Sequence, residues 1–75
     1  MTFNVLLKYE AAFGAPPDEE MLQVFAGAAA NGVGEKVMLD AINHVKNAYE
    51  HGQAAEPPGK AVAKYMRYLY RKGFR

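Results

Sequence analysis

"GVGEKVMLDAINHVKNAYEHG", residues 32–52, decides the fold class. Val37, Met38, Ala41, Ile42, Val45, Ala48 and Tyr49 recur at steps of three and four for more than three turns. That spacing lines one face of an α-helix and no face of a strand. Gly34 and Gly52 punctuate the two ends, so the spacing predicts a helix over 35–51. A helix apolar on one side alone must bury that side against something.

Its neighbours read the same way. Upstream, "TFNVLLKYEAAF" (2–13) places Val5, Leu6, Tyr9, Ala12 and Phe13 on one face, with Thr2 as an N-cap and Gly14 as the stop. In "APPDEEMLQVFAGAAANG" (15–32), Pro17 suits a first helical turn, and Asp18, Glu19 and Glu20 suit the positive end of a helix dipole. Met21, Leu22, Phe25, Ala28 and Ala29 form its stripe, and its many Ala and Gly residues predict a close helix–helix approach. Downstream, "GQAAEPPG" (52–59) holds two Pro and two Gly and reads as a connector that continues neither neighbour. A fourth helix follows over 60–72, closed by Gly73. The expectation is an all-α bundle of about four helices, 3–13, 17–31, 35–51 and 60–72. Leu6, Phe13, Leu22, Phe25, Ile42, Val45 and Leu69 are its expected core.

Seventy-five residues suit one domain, 1–75, with one modest core, whether as a whole chain or as a piece of a longer one. There is no Cys, so neither disulfides nor thiolate metal sites enter, and cytoplasmic residence is expected. The longest apolar-rich stretch, 21–30, is broken by Gln23 and Gly27 and is far too short to span a bilayer. "MTFNVLLKYE" lacks the basic start and long apolar run of a signal peptide.

Charge is distributed unevenly. Residues 1–59 hold three Lys against eight Asp or Glu, a balance of −5, whereas residues 60–75 hold six Lys or Arg and no acid, +6. At 100° per residue, Lys60, Lys64, Arg67, Arg71 and Arg75 fall within a sector of about 80°. Val62, Tyr65, Met66 and Leu69 lie opposite, with Tyr68 and Tyr70 on the flanks. Glu10, Asp18, Glu19, Glu20 and Glu35 could pair with this face, and Arg71 and Lys72 also suit the negative end of a helix dipole. Most surfaces mix both signs, however, and this face carries one. Lys and Arg neutralise phosphates while aromatic rings take unstacked bases. The candidate nucleic-acid-binding residues are therefore Lys60, Lys64, Arg67, Tyr68, Tyr70, Arg71, Lys72, Phe74 and Arg75. A membrane surface is disfavoured, because Leu69 is the one large aliphatic on the apolar side and Trp is absent.

Catalytic and cofactor chemistry finds no foothold. His44 and His51 are seven apart, not the four of a helical metal pair, with no third ligand evident, and read as solvent-facing. "GVGEK" (32–36) lacks the length and the Lys-Ser/Thr ending of a phosphate loop. Ser is absent, and Thr2, the single Thr, has no His–carboxylate pair placed beside it. No enzyme, no metal and no cofactor are expected.

"KYEAAFGAPPDEEM" (8–21) resembles the opening of the DnaD-like domain of bacterial and phage replication-initiation proteins, with its Tyr-Glu pair, Phe-Gly, then Pro and an acidic helix start. "GVGEKVMLDAINHV" (32–45) is similar to that domain's next signature, a Gly-containing turn and a helix with an Ala-Ile pair, here Ala41 and Ile42. The resemblance implies an all-α fold, oligomerisation, DNA binding to single or double strands, and primosome assembly around a replicative helicase. It also implies DNA contact by a Tyr, an Ile or Leu four residues on and a Trp four further. Tyr65 and Leu69 hold the first two places here and Gly73 the third, whereas anchoring on the terminal Gly puts Ala61 at the Tyr place and Leu69 at the Trp place. The expected function is a non-catalytic DNA-binding accessory domain. The alternative is a protein-interaction module whose basic face or Ala-rich helix docks an acidic partner, such as a helicase or a second copy.

Overall fold

Four α-helices carry the chain: α1 (Phe3–Phe13), α2 (Glu19–Ala30), α3 (Glu35–Glu50) and α4 (Pro58–Arg71). The structure is a computed structural model and describes residues 3–53 and 55–74. No strand occurs among the described residues. The hub is α3, which packs against both α1 and α4, while α2 meets α4.

The stripe on α3 is what the others cover. Val37, Met38, Ala41, Ile42 and Val45 are buried, joined by Val5 and Tyr9 from α1, Met21 and Phe25 from α2, and Val62, Ala63 and Met66 from α4. No polar or charged residue is buried among the described residues. Two edge-to-face ring contacts tie α1 to its neighbours, Tyr9 with Phe25 of α2 (6.1 Å) and Phe13 with Tyr49 of α3 (6.2 Å), and a third joins Tyr9 to Phe13 within α1 (4.8 Å). Each such pair adds about 0.5–1.5 kcal/mol beyond its buried area.

Four of the seven expected core residues sit at the margin instead. Leu6, Phe13, Leu22 and Leu69 are half-buried, and Val5, Met38, Val62 and Met66 fill the interior. The reason is rotation. Leu6 and Leu22 each follow a buried residue, Val5 and Met21, and one step turns a side chain about 100° away. Phe13 and Leu69 still pack against the core from outside.

Both ends of α1 and the start of α3 fall where expected, and the other helix ends shift by one or two residues. The second helix starts at Glu19 because Asp18 caps it: the Met21 N–H donates to the Asp18 carboxylate at 2.8 Å. Pro17 is thus buried ahead of the helix, not in its first turn. Glu19 and Glu20 do occupy that turn, as the dipole favours. His51 ends α3 as its C-cap, with Nδ1 2.7 Å from the Asn47 carbonyl. A carbonyl can only accept, so Nδ1 carries the proton.

The start of α4 moves by two residues in the other direction. Pro58 and Gly59, expected in the connector, form the first turn of this helix. Proline is suited there because the first helical N–H needs no partner. Gly59 then makes the close approach expected of α2. A Cβ on Gly59 would lie 3.2 Å from Tyr9 Oη and 3.3 Å from Met21 Sδ, whereas one on Gly27 would meet nothing within 4 Å. The small residue that lets helices touch lies in the connector's "PPG". The expected N-cap Thr2 lies outside the described residues.

Two outcomes follow from this packing. Ile42→Ala, at a fully buried position, should cost about 2–5 kcal/mol in a denaturant melt, and Leu6→Ala distinctly less. An equal cost at both sites would contradict the burial pattern. The second outcome concerns Tyr9, whose phenol burial pushes above its usual range, with Asp18 and Tyr49 adding to the shift. The folded chain therefore holds this proton more tightly than the unfolded chain. Stability is full below the ordinary tyrosine value of about 10 and is lost as pH rises through the folded value. Melts at increasing alkaline pH should show wild type losing stability more steeply than Tyr9→Phe.

Candidate nucleic-acid interface

Packing sorts the side chains of α4 into two halves. Val62, Ala63 and Met66 are buried against the bundle, and Tyr65 and Leu69 are half-buried beside them. Lys60, Lys64, Arg67 and Arg71 are all exposed and follow one line along the helix. From Lys60 to Arg71 that line is about 16 Å long, at 1.5 Å per residue. Arg75 lies outside the described residues.

Local chemistry ends the line cleanly. Lys72 is the C-cap, and Gly73 turns with φ +96°, a left-handed conformation that glycine adopts without strain. The Gly73 N–H donates to the Tyr70 carbonyl at 3.0 Å and the Phe74 N–H to the Leu69 carbonyl at 3.1 Å. This paired closure satisfies two end carbonyls and leaves Phe74 58% exposed.

Among the described residues, one ion pair touches the line. Lys64 Nζ lies 3.0 Å from Glu56 Oε1, and the two side chains are largely exposed. The acids available to pair here, Glu10, Asp18, Glu19, Glu20 and Glu35, make no such contact with α4 among the described residues. The partner is the connector's own acid, set just ahead of Pro57 and Pro58 where the chain enters α4. Among the described residues, Lys60, Arg67 and Arg71 make no ion pair.

The aromatic residues flank the line on different sides. His44 of α3 stacks flat on Tyr65, with ring centroids 3.8 Å apart and planes 5° from parallel. Tyr65 leans on Tyr68 at 5.5 Å, and Lys72 Nζ sits 5.6 Å over the Tyr68 ring. Tyr68, 46% exposed, is the outer member of this series. It borders a hollow of about 240 Å³ shared with His44, Gln53, Glu56 and Lys64. Tyr70, 38% exposed, stands instead with Arg67 and Arg71 at a groove of about 650 Å³ toward α2. The cationic line runs between the two.

Tyr65 and Leu69, the pair that the family resemblance marks for DNA contact, spend much of their surface on packing. His44 is solvent-exposed as expected, yet it also braces Tyr65, a role not read from the sequence. Its position one residue before buried Val45, at the edge of the α3 stripe, was the available signal. His51, in contrast, is occupied with capping α3. No group of three or more His, Cys, Asp or Glu able to hold a metal occurs among the described residues. No described helix is long and apolar enough to cross a membrane.

No family model, no curated protein and no solved structure matches the chain.

Exposed ion pairs contribute about 0–1 kcal/mol, so the cations of α4 add little to the fold. Lys64→Ala and Arg67→Ala, singly or together, should shift stability by less than about 1 kcal/mol. Thermal and denaturant melts check this. A loss comparable to that of Ile42→Ala would make the line a structural element.

Proposed function

We propose that this chain is a non-catalytic DNA-binding accessory domain that acts in replication initiation. The observation that carries the reading is the line Lys60, Lys64, Arg67 and Arg71. Four cations share one exposed face, and among the described residues a single carboxylate, Glu56, meets them. Cations so arranged neutralise successive phosphates and release condensed counterions, which gives affinity with little sequence preference. Tyr68 adds a second contribution. Its ring is braced from below by Tyr65 and His44, so a half-exposed aromatic is held in place beside the cations. A braced ring loses little freedom when an unpaired base stacks on it, and such stacking is worth about 1–3 kcal/mol. Tyr70 and Phe74 supply further rings on the other flank and at the helix end.

The replication role rests on the resemblance to DnaD-like domains in residues 8–21 and 32–45. In the bundle, Tyr65 and Leu69 are half-buried, so base contact in this reading passes from Tyr65 to its neighbour Tyr68.

A fluorescence titration with single-stranded and duplex oligonucleotides across a salt series tests the proposal. The double substitution Lys64→Ala with Arg67→Ala should weaken binding to all sequences alike. It should flatten the slope of log affinity on log salt by about 0.7–0.9 per lost phosphate contact. Glu56→Gln should shift affinity the opposite way, because it removes the one acid beside the line. Tyr68→Ala should weaken single strands more than duplex. Wild type that binds neither form at low ionic strength would defeat the reading.

A further inference from the structure

The groove between α2 and α4 has a character unlike that of the cationic line beside it. Met21 at the start of α2 lies against Gly59 at the start of α4, and further along both helices the groove opens to about 650 Å³. Its floor is Val24 and Ala28 of α2, Val33 of the following turn, and Ala63 and Met66 of α4. One edge carries Arg67 and Arg71, and no Asp or Glu borders it. The floor is aliphatic and thioether throughout, with a single aromatic, Tyr70, at the rim. Such a floor suits an aliphatic or aromatic side chain better than a base, which stacks on flat rings. The two guanidiniums, four residues apart on one helix, are spaced to take carboxylates that flank such a side chain.

We infer that this groove binds an acidic peptide segment, with its apolar side chains on the Val24–Ala28–Met66 floor and its carboxylates on Arg67 and Arg71. The inference is independent of the DNA reading, and peptide binding could survive the failure of that reading. It adds one consequence where both hold. Arg67 and Arg71 also belong to the cationic line, so peptide and DNA exclude each other at these two residues.

The probe is a short synthetic peptide with a Phe-Leu pair set between aspartates, titrated into the isotope-labelled chain and followed by NMR. Saturable shifts are expected at Val24, Ala28, Val33 and Met66. Two control peptides, one with Asn for each Asp and one with Ala for the Phe-Leu pair, should each bind about tenfold more weakly or worse, as loss of charged hydrogen bonds or apolar burial dictates. Ala28→Leu fills the floor without altering a charge. It should abolish peptide binding while leaving the cooperative melt and DNA affinity as in wild type. Where DNA binds, the acidic peptide should displace it from wild type but not from Ala28→Leu. Any of four results overturns the inference: control peptides that bind as tightly as the probe; no shift at the floor; a folded Ala28→Leu variant that still binds; or floor signals that move instead with single-stranded DNA or with self-association of the chain. Should Ala28→Leu fail to fold, comparison of the three peptides on wild type decides alone.

Discussion

Burial of one apolar stripe on α3 is the constraint on which everything else depends. A chain of this size without cysteine has neither cross-links nor a second core to fall back on. Val37, Met38, Ala41, Ile42 and Val45 are covered only if α1 and α4 lie along α3 at once. The approach of α4 is set by Gly59, which admits Tyr9 Oη and Met21 Sδ where a side chain would stand. Two helices, α1 and α2, therefore meet the first turn of the fourth. The direction of α4, and with it the direction of its cations, follows from a hydrophobic requirement on the opposite side of the helix.

This explains which parts of the fold were legible in the sequence. The period of α3 is strong because five of its side chains face the interior, and a repeated pattern survives local irregularity. Ends carry no such redundancy. One hydrogen bond makes Asp18 the cap and leaves Pro17 outside the first turn, and Pro58 is read correctly only once its first-turn position is known. Core membership is intermediate in difficulty. Leu6 and Val5 are equally apolar and adjacent, and the choice between them is an angle set by tertiary packing, to which composition is blind. Gly27 and Gly59 show the same limit: both are glycines in or near helices, yet only the second has a neighbour within reach.

The candidate site divides along the same lines. Charge bias is a property of composition, so Lys60, Lys64, Arg67 and Arg71 were visible in the sequence, and the structure leaves all four exposed. What surrounds them depends on contacts between segments distant in sequence. His44 reaches Tyr65 across the α3–α4 contact, and Glu56 reaches Lys64 from the connector. Neither pairing has a sequence period. Tyr68 and Tyr70 fall on opposite flanks as helical spacing predicts, but the different hollows they border, one toward α3 and one toward α2, depend on tertiary packing.

The cationic line is held against a small electrostatic penalty. Lys60 and Lys64, Lys64 and Arg67, and Arg67 and Arg71 are like-charge neighbours three or four residues apart on one helix. Each such pair destabilises a helix by about 0.2–0.5 kcal/mol at low salt. Glu56 relieves the line at one place, and Arg71 gains something from the negative end of the dipole. Lys72 is drawn aside over the Tyr68 ring. The remaining repulsion is unopposed within the described residues, and the strongly apolar opposite face of α4 carries it. The apolar face thus holds the four cations in register against their mutual repulsion, a repulsion that anionic groups set along the line would offset.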